Sequence, residues 1–247
     1  MTYLCSTRLL KALLYCLFAT LPTLIMAQEK HKVYLIPGQG SDERIFQEFD
    51  WDSSAYEVIH IPYLPPKRSE KMNAYAVRMA EQIDTNSPFS LVGVSLGGML
   101  ICEMTSFIEP THAIILSSAK GREELPIGYR FQKWLPIHRL VPAFMVKAGS
   151  FIVQPIWEPD RKLHKDTFKA MLAAKPARQM KRHIHMIVTW DRDASTSKVR
   201  HIHGDIDHTL PIKNIAADTI VKNGSHMMTL TMSEAVQKEV MSILSSS

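Results

Sequence analysis

Cysteine is nearly missing from this chain: there are three in 247 residues, and two of them, Cys5 and Cys16, fall within the first 27. If that leader is removed only Cys102 is left, so the remaining chain can form no internal disulfide and offers no thiolate cluster for a metal. Cys102 sits in an apolar helical stretch and reads as a small core residue rather than a thiol nucleophile. Internal repeats and low-complexity tracts are also absent. The excess of positive charge is slight. The formal net charge is +5, and it falls to +3 without Arg8 and Lys11, which gives no argument for a nucleic-acid partner. A nucleotide cradle is not supported either. Gly38-Gln39-Gly40 follows an apolar run, but it lacks the Lys-Ser/Thr ending of a P-loop and the register of a dinucleotide fingerprint.

The first 27 residues have the pattern of a secretory leader. Arg8 and Lys11 form a positive start, Ala12 to Met26 is uncharged and apolar, and Gln-Glu-Lys-His-Lys follows Ala27 abruptly. This predicts a signal peptide cut near Ala27 and a periplasmic or secreted protein. An uncleaved anchor is the competing reading; it is disfavoured because the run is short for a span and contains Pro22. The remaining 220 residues suit one α/β domain with its own core.

The most informative stretch runs from Phe89 to Met104. Phe89 to Val94 has the length and composition of a buried strand, and Leu96 to Ile108 repeats its apolar residues at helical spacing. Gly93, Ser95 and Gly97 fit G-x-S-x-G between them. A strand turning directly into a helix strains the central residue and leaves no room for side chains on either side of it. The serine hydroxyl would then stand above the sheet edge, over free N–H groups at the helix start. In the same reading the backbone N–H of Gln39, in the glycine loop after the first strand, pairs with that of Leu96 as a second oxyanion donor.

Strands alternate with helices on either side of this unit. Lys32–Pro37, Tyr56–Ile61, His112–Leu116, Lys198–His203 and Ala217–Val221 are expected strands, and Ser69–Asp84 and Ser233–Leu244 are expected helices, Ser233 serving as N-cap. The alternation predicts an α/β fold with a mostly parallel central sheet flanked by helices. The pattern breaks from about Ala119 to Ser197. Leu125 to Trp157 mixes four prolines with many large apolar residues, and two helices are expected after it, Asp160–Ala174 and Ala177–Trp190. We read 119–197 as an inserted helical cap, with 28–118 and 198–247 forming the core. The later half of the cap is basic, from Arg161 to Arg182. It would contact a membrane surface or anionic substrates, or simply be a solvated helix face.

A serine needs a base, and the base an orienting carboxylate. Asp205 or Asp207 and then His226 follow Ser95 at expected strand ends, in the order Ser, Asp, His. Gly93-Val94-Ser95-Leu96-Gly97-Gly98, His203-Gly204-Asp205-Ile206-Asp207-His208-Thr209-Leu210-Pro211 and Asn223-Gly224-Ser225-His226 together resemble the α/β-hydrolase superfamily. The resemblance implies catalytic roles for Ser95, Asp207 and His226, with oxyanion N–H groups from Gln39 and Leu96. It also implies a serine hydrolase acting on a carboxylic ester, thioester or similar acyl bond, with no cofactor and no metal. Acyl transfer on the same residues and a non-catalytic binding protein on the same scaffold are the alternatives. The large apolar side chains of the cap point to an apolar acyl or alcohol group as partner. Two departures stand out: Pro37-Gly38 where the family often has His-Gly, and one extra residue, Ser225, between Gly224 and His226. His183/His185 and His201/His203 are H-x-H pairs that read as packed or surface histidines rather than metal ligands. Intact-mass measurement on protein exported from a bacterial host is expected to give a chain beginning near Gln28; a chain still beginning at Met1 and held in the membrane would favour the anchor.

Overall fold

The protein is described from a computed structural model over residues 29–246; the expected signal peptide lies outside these residues. His31–Ser247 forms one compact unit. Its centre is a six-stranded sheet of β1 (His31–Ile36), β2 (Tyr56–His60), β3 (Phe89–Val94), β4 (His112–Leu116), β5 (Arg200–Gly204) and β6 (Thr219–Val221). The strand order is β2-β1-β3-β4-β5-β6, and every pairing is parallel. The expectation of a mostly parallel sheet is met in full. Parallel strands need crossovers, and the crossovers lay helices on both faces.

Burial follows the two-residue period of a strand. Tyr34, Ile36, Leu91 and Ile115 face one core with α1 (Met72–Ala80), α2 (Leu96–Met104) and the end of α6 (Ala177–Thr189). Val33, Leu35, Val92, Val94, Ile114 and Leu116 face the other, with the closing helices α7 (Met228–Thr231) and α8 (Ser233–Leu244). That is why β3 and β4 read as largely apolar runs: neither face of the central strands meets water.

The ends of several helices differ from expectation. α1 is shorter at both ends than Ser69–Asp84. Ser69 takes a positive φ of 57°, and Glu70 accepts the Lys67 N–H at 2.6 Å, so that segment is a turn tied by a side chain. α2 stops at Met104, where the Thr105 hydroxyl bonds the Cys102 carbonyl at 2.9 Å and competes with the helix ladder. Ser233 is the first residue of α8 rather than its cap; Met232 occupies the cap position without a side-chain bond.

The segment between β4 and β5 is helical, with α3 (Ile127–Phe131), α4 (Ala143–Trp157), α5 (Lys165–Ala174) and α6. α4 was not expected from a proline-rich stretch. Pro142 precedes the helix, where its missing N–H is no loss, and its carbonyl accepts from Met145 and Val146. Pro155 falls in the last turn. α5 begins later than Asp160, because 159–164 forms a tighter 3₁₀ turn first. This cap is joined to the core at a buried point where the Trp190 indole N–H donates to Glu103 Oε1 of α2 at 2.6 Å. Trp190→Phe would leave that carboxylate oxygen without its donor. We expect a loss of about 2–3 kcal/mol in urea denaturation, and a loss near zero would mean that the bond contributes nothing to holding the cap.

Candidate active site

Ser95 lies between β3 and α2 with φ 52° and ψ −116°, a conformation side chains rarely adopt. Its surroundings over-determine it. The Ser95 N–H donates to Leu116 O at 2.9 Å, and its carbonyl accepts from Met99 N at 3.1 Å and from the Ser118 hydroxyl at 2.7 Å. The two flanking glycines are needed for space. A Cβ on Gly93 would lie 2.6 Å from the backbone of Gly97, and one on Gly97 would overlap the Ile36 carbonyl oxygen of β1. The turn can be this tight only because both positions lack side chains.

Asp207 follows β5 and His226 follows β6, on neighbouring parallel strands. The two loops meet through glycine backbones, since a Cβ on Gly224 would stand 2.9 Å from Gly204 Cα. Ile206 N also donates to Gly224 O at 3.0 Å. This contact sets the side chains beyond it. Asp207 Oδ2 accepts from His226 Nδ1 at 2.8 Å, and His226 Nε2 accepts from the Ser95 hydroxyl at 3.0 Å. The carboxylate can only accept, so the proton of a neutral His226 is assigned to Nδ1, leaving Nε2 bare toward Ser95. Asp205 does not reach His226: its N–H bonds Val221 O, and its Oδ1 is buried without a partner. Asp207 also closes the turn after β5, its Oδ1 accepting from Leu210 N at 2.6 Å.

Gln39 lines the pocket in front of Ser95. Leu96 opens α2, where the first N–H groups have no helical partner. Neither backbone N–H donates to any other described residue. Proline at position 37 is accommodated by Tyr63, whose buried hydroxyl donates to the Pro37 carbonyl at 2.6 Å and fixes the loop that carries Gln39. The extra residue Ser225 is also used. Its hydroxyl donates to Asp160 of the cap and accepts from Met227 N at 2.9 Å.

No protein-family model matches the chain, and no curated protein sequence matches it. Solved structures do. A hydrolase from Pseudomonas aeruginosa superposes with a TM-score of 0.66 at 14% identity, covering 89% of this chain and 91% of that one. An enol-lactonase from Burkholderia xenovorans gives 0.67 at 15%, covering 88% and 92%. An esterase from Exiguobacterium antarcticum gives 0.62 at 14%, covering 88% and 93%. The chain has the α/β-hydrolase fold.

Around the elbow of this α/β-hydrolase fold, the sequence reading missed the contribution of the cap. Glu158 is fully buried. Its Oε1 accepts from His208 N, Thr209 N and the Thr209 hydroxyl at 3.1, 2.8 and 2.8 Å, and its Oε2 from His226 N at 3.4 Å. The indole N–H of Trp157 donates to His208 O at 2.7 Å. Three side chains of the cap, Trp157, Glu158 and Asp160, therefore grip the acid loop and the histidine loop together. A lone acidic residue after an apolar helix carries no periodic signal, so only the fold reveals this. Arg161 adds a guanidinium that is 6% exposed, lines the pocket with Ser95 and lies 4.8 Å over the Phe168 ring.

The remaining histidines find ordinary partners. His203 Nε2 lies 2.8 Å from Leu210 O and 3.3 Å from Asp207 Oδ2, both acceptors, so it carries the proton. His203 Nδ1 is then bare and takes the Nε2–H of His201 at 3.1 Å. His183 packs 4.7 Å from the Tyr63 ring, and burial lowers its pKa to about 3; His185 shares a proton bridge with His138 at 2.9 Å. Among the described residues no group of three His, Cys, Asp or Glu side chains is placed to hold a metal. Burial pushes the Cys102 thiol up to about 12, which suits a core residue.

Burial alone would lower the pKa of His226, but the charge and hydrogen bond of Asp207, with Glu158 and Asp160 behind it, outweigh burial and raise it. The imidazolium therefore persists to a higher pH than that of an ordinary histidine at about 6.5. An NMR titration of the His226 ring is expected to place its midpoint above that value. Glu158→Gln keeps an acceptor for the Thr209 N–H and removes one negative charge, so it should move the midpoint down. An unchanged or higher midpoint would show that Glu158 exerts no field on the ring.

Proposed function

We propose that the protein is a serine hydrolase that cleaves a carboxylic ester, thioester or related acyl bond through an acyl-enzyme. The observation that supports this is the hydrogen-bonded chain from Asp207 through His226 to Ser95, opening onto a pocket. In this reading Ser95 Oγ attacks the carbonyl carbon while its proton passes to His226 Nε2. Asp207 holds the Nδ1–H tautomer and stabilises the imidazolium that forms. The N–H groups of Gln39 and Leu96 receive the developing oxyanion, in an environment with little water to compete. The tetrahedral intermediate collapses, the C–O or C–S bond breaks, and the leaving group takes the proton from Nε2. Water then enters, gives a proton to His226, attacks the acyl carbon, and releases Ser95 with its proton restored.

The pocket shape supports a small reacting portion. The space beside Ser95 is about 100 Å³, bordered by Met99, Phe168, Ile187 and Leu210, well below the several hundred Å³ of a drug-sized site. A wider groove of about 650 Å³ shares Gln39, Tyr129 and Thr209 with it and runs along α4. This favours a short apolar acyl or alcohol group inside and a larger remainder in the groove. The names of the similar structures, an esterase and an enol-lactonase, agree with ester chemistry. The leader-like pattern of the first 27 residues supports a reaction in the periplasm or outside the cell.

Ser95→Ala is expected to reduce turnover of p-nitrophenyl acetate by about 10⁴-fold with an unchanged circular dichroism spectrum. A fluorophosphonate probe should label the wild type at Ser95 and leave the variant unlabelled. Retention of more than a few per cent of activity, or labelling elsewhere, would refute Ser95 as the nucleophile.

A further inference from the structure

The exposed surface of the cap is apolar over a continuous stretch of chain. Among the described residues, all but four of the exposed large apolar side chains (Val77, Phe107, Ile206 and Ile220) lie between Ile127 and Leu163. Trp134 is 84% exposed and Leu140 83%, at positions where a monomer in water ordinarily presents polar groups. The outward side of α4 is the clearest case. Phe144, Ile152 and Ile156 are 70%, 66% and 75% exposed, and with exposed Ala148 they recur every four residues along one side of the helix. A helix that faces water normally carries charge on that side. Here the only charged residue of α4 is Lys147, and its ammonium is turned to the carbonyls of Ala173 and Lys175.

The charge on this stretch has a single sign. From Leu125 to Trp157 there is no Asp or Glu, whereas Arg130, Lys133, Arg139 and Lys147 are present. Lys133 and Arg139 are exposed and stand among Trp134, Leu135, Ile137 and Leu140. A second copy of the chain is a poor occupant, because a two-fold contact would set like charge against like. An anionic lipid surface matches both properties: its headgroups attract Lys and Arg, and its acyl boundary accepts Trp, Phe, Leu and Ile.

We propose that the face formed by α3, the 132–142 link and the outer side of α4 docks on an anionic lipid bilayer. This assignment differs from the sequence expectation, which placed membrane contact on the basic run from Arg161 to Arg182. Several of those cations are occupied within the protein. Lys175 lies 3.7 Å from Asp42, Lys181 donates to Arg139 O, and Arg182 donates to Pro66 O. The groove that leads to Ser95 is lined by Met145, Gly149 and Trp157 of the same helix, so docking would bring its mouth to the lipid. The binding itself does not depend on the reaction proposed above.

The test is co-sedimentation of the exported protein with phosphatidylglycerol or phosphatidylcholine vesicles at about 0.15 M salt, an ionic strength that screens distant charges beyond roughly 8 Å. Wild type is expected to bind phosphatidylglycerol at least ten-fold more tightly than phosphatidylcholine. Phe144→Ser/Ile152→Ser/Ile156→Ser should lose at least ten-fold on both. Lys133→Gln/Arg139→Gln should lose mainly the preference for phosphatidylglycerol. None of these residues lines the pocket beside Ser95, so unchanged hydrolysis of a soluble ester and an unchanged circular dichroism spectrum show that the variants are folded. If the triple variant binds as wild type does, another segment carries the binding, residues 1–27 included, and the proposal is wrong. It is equally wrong if wild type fails to bind vesicles, whether it sediments as a monomer or as a dimer that the triple variant dissolves.

Discussion

Ser95 occupies a backbone conformation that costs free energy on its own, on the order of 1–3 kcal/mol for a residue so placed. The structure spends much of its local order keeping it there. β1 must pass close enough for the Ile36 carbonyl to exclude any side chain at Gly97. β4 must supply the Leu116 carbonyl to the Ser95 N–H, and the residue after the next, Ser118, must donate to the Ser95 carbonyl. Three neighbouring strands are thus committed to a single residue. The sheet order β1-β3-β4 is what allows it, since the strand bearing the elbow has a parallel neighbour on each side ending at the same level. The same constraint reaches the other two side chains. Asp207 and His226 arrive from β5 and β6, further along the same edge, and need the Gly204–Gly224 contact to come close enough to face Ser95.

Charge around this site is uneven. Asp207, Glu158 and Asp160 all raise the affinity of His226 for a proton, and burial opposes them. Glu158 is itself pushed up by burial, though His226 and the hydrogen bonds from Thr209 pull the other way. A neutral His201–His203 pair lies behind the acid, held neutral because burial lowers both pKa values. That neutrality has a consequence. An imidazolium at position 203, 3.3 Å from Asp207 Oδ2, would compensate the carboxylate from the wrong side and weaken its hold on His226. A neutral ring whose proton points to Leu210 O and Asp207 Oδ2 positions the acid without cancelling its charge.

The elbow was legible in the sequence because local chemistry announces it: Gly93-Val94-Ser95-Leu96-Gly97 states its own turn. The residues alone left Asp205 and Asp207 as alternatives, and the choice of Asp207 came from the resemblance of the 203–211 stretch to α/β-hydrolases. β3 and β4 are apolar at every position except Ser90 and His112 because both faces are covered, and such runs are easily read as strands. The cap was read less well, for two physical reasons. Prolines at 142 and 155 suggest a broken chain, yet Pro142 just precedes α4, where its missing N–H is no loss, and the helix runs on through Pro155 to Trp157. Tyr63 and Ser118 act through single long-range hydrogen bonds and Glu158 through several, and contacts made only at a distance leave no period and no motif. Ser225, an apparent irregularity in the histidine loop, is explained only by Asp160, 65 residues away in sequence.

The position of α4 is the remaining structural question, because its outward side is apolar and gains nothing from burial within the chain. Helices of this length draw most of their stability from packing one face. For α4 that face lies against α6, with further contact to the 159–164 turn and α5, and polar bonds add to this anchoring. Lys147 ties its first half to the carbonyls that end α5, and Trp157 and Glu158 tie its end to the backbone of the acid loop. These bonds are made at the inner edge of the helix, so they leave the outer edge free of structural duty. The residues that orient the cap over Ser95 are therefore distinct from those that face outward. A sequence under pressure only to cover the pocket would fill that outer edge with charge, as the solvated side of α8 does with Glu234 and Lys238. That α4 presents Phe144, Ile152 and Ile156 there instead is an expense in solubility that the fold does not require, and it marks the outer edge as a surface with a use of its own.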